Sequence, residues 1–123
     1  MKITLEQMVN ATGALNWLST EELPTNYSFM VKRLLRAITP ESQTYEQTRI
    51  QTLEKYGERS EDGQGYNILP ENLEEFQAAV AALLAVEIEL PDTVIPSNLW
   101  EKIKPAYLVQ LDWLIKEIKG TDD

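Results

Sequence analysis

A chain of 123 residues with 43% hydrophobic and 25% charged side chains has the material for one domain, 1–123, and carries neither cysteine nor histidine. Those two absences exclude disulfides, thiolate nucleophiles, histidine bases and Cys- or His-ligated metals, leaving carboxylate, lysine, tyrosine and hydroxyl groups as the available chemistry. Twenty acidic residues against eleven basic ones give a net charge of −9, which repels nucleic-acid backbones and anionic membrane surfaces.

The first helix announces itself through Thr4 and Gln7, which stand at capping-box spacing, with Ile3 and Met8 at the two staple positions. It is expected to start at Leu5 and to run through Leu15 and Leu18 until Glu21-Glu22-Leu23-Pro24 breaks the pattern, with another helix packed closely at Gly13. From Thr25, the positions Tyr27, Met30, Val31, Leu34, Leu35 and Ile38 repeat at helical spacing, with Lys32, Arg33 and Arg36 on the other side. Pro40 then kinks or restarts the helix, because it lacks the N–H of an interior bond but suits a first helical turn after Thr39. Tyr45, Ile50, Leu53 and Tyr56 form a thinner and more exposed stripe that stops at Gly57, read as a helix C′ position.

Residues 58–65 are polar and glycine-bearing, which predicts a loop or hairpin, and Tyr66-Asn67-Ile68-Leu69 reads as a short strand. Pro70 opens the next helix, with Asn72 and Glu75 at capping-box spacing and Leu73, Phe76, Val80, Leu83 and Leu84 as its apolar face. This helix is expected to be the most buried. The period-2 run Val86-Glu87-Ile88-Glu89-Leu90 predicts a strand whose partner is Tyr66–Leu69, the two making a single ribbon. Ser97 can cap a short helix holding Leu99, Trp100 and Ile103, and a last helix follows Pro105, with Tyr107, Leu108, Leu111, Leu114, Ile115 and Ile118 on its apolar face. The expected fold class is mainly α (α+β), a compact bundle of about five helices with a small two-stranded antiparallel ribbon.

No constellation of catalytic groups stands out. Gly63-Gln64-Gly65 precedes a strand and lacks the Gly-Lys-Ser/Thr of a phosphate loop, while Glu58, Glu61 and Asp62 do not follow the order of a calcium loop and read as a solvated acidic turn. Glu21/Glu22 and Glu74/Glu75 are adjacent helical positions that point in different directions. No metal or cofactor is therefore expected. The sharpest polar group is Lys32, Arg33 and Arg36, joined by Arg49, Lys55, Tyr56 and Arg59 if the segments on either side of Pro40 pack antiparallel; together they would hold a small phosphorylated ligand or an acidic partner, the alternatives being surface solubility and pairing with the acidic C-terminal half. Trp17, Trp100 and Trp113 lack interleaved basic residues and read as core or interface anchors, Trp113 being the one expected to be partly exposed. The charge is also uneven, with residues 1–36 at net +1 and residues 70–123 at net −7.

The capped N-terminal helix, Tyr45-Glu46 with Arg49, the run Glu54-Lys55-Tyr56-Gly57-Glu58, Glu71-Asn72 with Phe76, the Val86–Leu90 strand and the closing Leu111-Asp112/Leu114-Ile115 pattern together resemble the DUF1617-like family of small bacteriophage and prophage proteins. The resemblance implies a phage origin and action in the host cytoplasm, and it carries no catalytic residue with it. The expected function is that of a non-catalytic accessory or anti-defence protein that binds a bacterial host protein. Alternatives are an oligomer that sequesters a signalling nucleotide between protomers, and a virion or assembly component. Neither nucleic acid nor membrane is an expected partner, and Trp113 and the basic groups above are the expected binding residues.

Overall fold

In a computed structural model that describes residues 1–95, 99 and 101–114, the chain is mainly α-helical with short antiparallel strands. The elements, in order, are β1 (Lys2–Thr4), α1 (Leu5–Asn10), α2 (Thr12–Thr20), α3 (Thr25–Tyr56), β2 (Gly57–Arg59), β3 (Tyr66–Ile68), a 3₁₀ turn (Pro70–Asn72), α4 (Leu73–Leu84), β4 (Glu87–Glu89) and α5 (Pro105–Gln110). Ser97, Trp100, Ile115 and Ile118, to which the sequence assigns helical roles, lie outside the described residues.

The N-terminal cap forms as its spacing predicts. Thr4 Oγ1 accepts from the Gln7 N–H at 3.2 Å, and Gln7 Oε1 accepts from the Thr4 N–H at 2.9 Å, so two otherwise orphaned donors are satisfied reciprocally. The expected single helix over 5–18 is broken at Ala11, however. The Ala11 N–H turns to the carbonyls of Gln7 and Met8, and the Thr12 hydroxyl takes the Val9 carbonyl at 2.9 Å, which tightens the turn and separates α1 from α2. At Gly13 the expected close neighbour is α5. Gln110 Oε1 accepts from the Ala14 N–H at 3.0 Å and would sit 3.5 Å from a Cβ at Gly13, an ordinary contact distance, so the approach is near without demanding glycine.

Pro40 neither restarts the helix nor folds it back, because α3 continues unbroken for 32 residues. Pro40 is exposed, about half a turn away from buried Ile38, so its missing N–H falls on the side of the helix that faces solvent. The two basic segments therefore lie along one helix rather than side by side.

The ribbon pairing also differs from the expectation. Residues 87–89 pair with residues 2–4, in the register Lys2↔Glu89, Ile3↔Ile88 and Thr4↔Glu87, while residues 66–68 pair with 57–59 in a local hairpin. The first pairing places two buried isoleucines opposite each other and sets Lys2 across from Glu89, combinations that the alternative partner Tyr66–Ile68 does not supply. It is extended at both ends by the Leu5 N–H on the Val86 carbonyl at 2.9 Å and the Leu90 N–H on the Met1 carbonyl at 2.7 Å.

The core is built from Ile3, Leu5, Met8, Ala14, Leu15 and Leu18 of the N-terminal elements, Val31, Leu34 and Ile38 of α3, and the return segment from Ile88 to Leu114. Each fully buried leucine contributes about 1.5–3 kcal/mol relative to exposure. Nothing between Glu41 and Val86 is buried. That stretch, comprising the second half of α3, the β2–β3 hairpin and α4, forms an arm that meets the core through partly buried Tyr45 and Leu83. The expectation that α4 is the most buried helix is thereby overturned. Leu73 is 46% exposed, and Phe76, Val80, Leu83 and Leu84 are only half-buried, because α4 reaches the core only at its C-terminal end, where Leu83 packs on it, and the rest of its apolar face has α3 alone beside it.

Candidate functional site

The arm is held together at its tip by local chemistry. A Cβ at Gly57 would come within 2.7 Å of the Asn67 carbonyl oxygen and 3.1 Å of an Ile68 methyl, so glycine is required there by the close approach of β3. Its backbone is extended, not left-handed, and the C′ reading of Gly57 gives way to that of a strand opening directly out of the helix. The hairpin reverses through Gly63, the one described residue with positive φ, at +73°. Asp62 accepts from the Ser60 hydroxyl and from the Gln64 N–H, and these bonds hold its carboxyl below the usual carboxylate range. The Gly63-Gln64-Gly65 run thus serves a turn.

Asn72, read from spacing as the N-cap of α4, makes no such cap and instead donates from Nδ2 to the Tyr56 carbonyl at 3.2 Å, which also accepts from the Leu69 N–H at 3.3 Å, so the end of α3 is tied to the segment that follows the hairpin. The Tyr56 and Phe76 rings meet edge to face with centroids 6.3 Å apart, and the Tyr66 hydroxyl donates to Glu54 Oε1 at 3.1 Å. These contacts lay α4 antiparallel along the second half of α3. The stripe of α3 that buries Val31, Leu34 and Ile38 continues through Tyr45, Thr52 and Leu53 after the core has ended, and there it faces Phe76, Val80 and Leu84 across a predominantly apolar cleft of about 380 Å³.

Arg49 stands on the α3 wall of this cleft. Its guanidinium grips Glu46 with two nitrogens, Nε on Oε2 at 3.0 Å and Nη2 on Oε1, so the glutamate is held below its ordinary range by the hydrogen bond and Arg49 is held above its own. From Glu41 to Val86 the arm carries nine carboxylates and three basic side chains, a net charge of −6. The cleft is therefore an apolar floor within an acidic surround.

The other basic residues singled out from sequence are dispersed. Lys55 lies over the Tyr56 ring at 5.2 Å, and Arg59 lies over the Tyr66 ring at 5.9 Å, both at the arm's tip. Lys32, Arg33 and Arg36 occupy the exposed face of the first half of α3 beside Phe29, whose ring the Arg33 guanidinium approaches to 5.9 Å. At about 1.5 Å of rise per residue, Arg33 and Arg49 are about 24 Å apart along the helix. The two groups converge on no common point within one chain. Trp113 lies apart from both, and the partial exposure expected of it is not found. It is 9% exposed, with its indole N–H buried and without a hydrogen-bond partner, and it borders a shallow cleft with Gln7, Asn10 and Gln110.

Sequence reading missed the cleft, although a signal for it exists. From Phe76 to Val86 there is no charged residue in eleven, which is more apolar surface than one helix face needs. Among the described residues no three carboxylates gather in a metal-binding group, and no helix is long and apolar enough to cross a membrane. No family model, no curated protein and no solved structure matches the chain.

Proposed function

We propose that this chain is a phage-encoded, non-catalytic accessory protein that acts by stoichiometric association with a bacterial host protein, a component of an antiviral defence system, and that the arm is its docking surface. The observation that carries this reading is the absence of any buried residue from Glu41 to Val86 in a segment whose two helices carry Leu53, Phe76 and Val80 on the walls of one cleft. Apolar side chains that the molecule itself covers only in part are the usual ground for association. The acidic surround supplies orientation and long-range attraction toward a basic surface on the partner. The resemblance to small phage proteins supports the setting, and the lack of histidine and cysteine supports binding over turnover.

Two measurements test it. Tagged wild type and an Ala81→Glu variant, altered at an exposed position on the cleft wall, are used to capture proteins from phage-infected cells. One host protein should be retained at a simple molar ratio by the wild type and lost by the variant. In a titration against that protein, inactivation should stop at the stoichiometric point. If trace amounts inactivate a large excess over time, the protein turns over and the reading fails.

A further inference from the structure

The first half of α3 carries a feature that neither the core nor the cleft uses. Phe29 is 60% exposed, and Phe29, Lys32, Arg33 and Arg36 follow the i, i+3, i+4, i+7 spacing of one helix face, directly opposite the face that buries Val31, Leu34 and Ile38. There is no acidic residue between Leu23 and Pro40, and the ion pairs found among the described residues involve none of these three cations. The result is a ridge of charge +3 tipped by an aromatic ring. Its chemistry is the complement of the cleft on the arm, which offers an apolar floor at Leu53, Phe76 and Val80 within a segment, Glu41 to Val86, of net charge −6.

We propose that the ridge of one molecule docks in the cleft of a second copy of this chain, joining molecules head to tail. The inference rests on reading the cleft as a docking surface and adds its occupant when the host partner is absent. Ridge and cleft stand on the same continuous helix, about 24 Å apart and, by ideal helical spacing, roughly 160° round its axis, so one chain cannot bring its own ridge to its own cleft. A second copy can. Phe29 would enter the apolar floor while Lys32, Arg33 and Arg36 meet the carboxylates of the receiving arm. The contact is heterologous, so both surfaces remain free at the ends of any assembly and further copies can add. Like net charges of −9 oppose approach at long range, but at physiological salt that repulsion is screened beyond about 8 Å, whereas the apposed patches attract at contact. A ridge of four side chains buries little area, so the association is weak and depends on concentration.

The test is sedimentation velocity on the purified full-length chain, with no host extract present, so that failure here leaves the host-binding reading to its own experiment. Wild type should gain average mass as concentration rises toward roughly millimolar, and should lose it in about 1 M salt, where the screening length falls to about 3 Å. A ridge variant, Phe29→Ser with Arg33→Glu, and a cleft variant, Ala81→Glu, should each be monomeric. All three substitutions fall on exposed positions, and unchanged circular dichroism and thermal midpoints would confirm folding. Mixed in equal amounts, the two variants should form a one-to-one dimer and nothing larger, because one intact ridge then meets one intact cleft. Wild type that stays monomeric throughout the range, single variants that associate as well as wild type, or a mixture that stays monomeric would each overturn the proposal. A symmetric dimer that survives both single variants would do so as well, by locating the interface elsewhere.

Discussion

Gly57 and Asp62 show how individual residues set the geometry of the arm's tip. At Gly57 the constraint is spatial, since an added methyl would press on the Asn67 carbonyl oxygen at 2.7 Å while the backbone itself suits any residue. Gly57→Ala should therefore cost about 1–3 kcal/mol as an overpacking change, read as a lowered thermal midpoint, and should shift the amide resonances of residues 66–68. Asp62 belongs to the opposite case, a residue whose charge rather than size matters. Its carboxyl is held below the usual range, so the turn gains stability above the ordinary aspartate pKa and loses it as pH falls through the depressed folded value. An acid titration followed by NMR should show the Gln64 amide signal moving toward its free-chain position over that window, and Asp62→Asn should remove the transition. The cap residues were the most legible part of the sequence, because Thr4 and Gln7 need only each other and three intervening positions. Asn72 has the same kind of spacing to Glu75 and does something else, because the Tyr56 carbonyl that claims it comes from sixteen residues away.

Among the elements, α2, α3 and α4 divide by what covers them. Leu18 and Leu34 have no exposed surface to speak of, whereas Leu83 keeps part of its surface in water. Replacing Leu18 or Leu34 by Ala should cost about 2–5 kcal/mol, and Leu83→Ala should fall below that range, a ranking that chemical denaturation of the three variants can check. Hydrophobic periodicity located α3 and α4 correctly, since each helix writes its own stripe into the chain. It could not tell what lies against the stripe. The apolar face of α4 reads the same whether a core or a solvent-filled cleft stands opposite, and the apolar stripe beyond Pro40 reads the same whether the helix turns back or runs straight on. Strand pairing was illegible for a related reason. Lys2–Thr4 spans three residues, too few for a period-2 pattern to declare itself, and its choice of Glu87–Glu89 over Tyr66–Ile68 rests on contacts across the whole domain.

At the level of the whole molecule, core and arm differ in how firmly they are held. The core takes its buried side chains from residues 3–38 and 88–114, and the arm between them has none. Amide hydrogen exchange should divide along that line, with backbone amides of α4 and the β2–β3 hairpin exchanging through local openings while Leu15, Leu34 and Ile88 wait for global unfolding. Bound partner should slow exchange in the arm alone. Uniform protection across the two regions would show that the arm is fastened more tightly than its burial allows.

The pairing of residues 2–4 with residues 87–89 has a further consequence, which concerns time. The ribosome delivers β1 before β4, and the partner strand leaves the exit tunnel only after more than eighty further residues have been made, an interval of the order of ten seconds at ordinary rates of synthesis. Until then Ile3 has no Ile88 opposite it, and the loop that must close is among the longest the chain can form, so the ribbon is sealed late and by a slow, non-local step. The β2–β3 hairpin, by contrast, joins residues at most eleven positions apart and has no such wait.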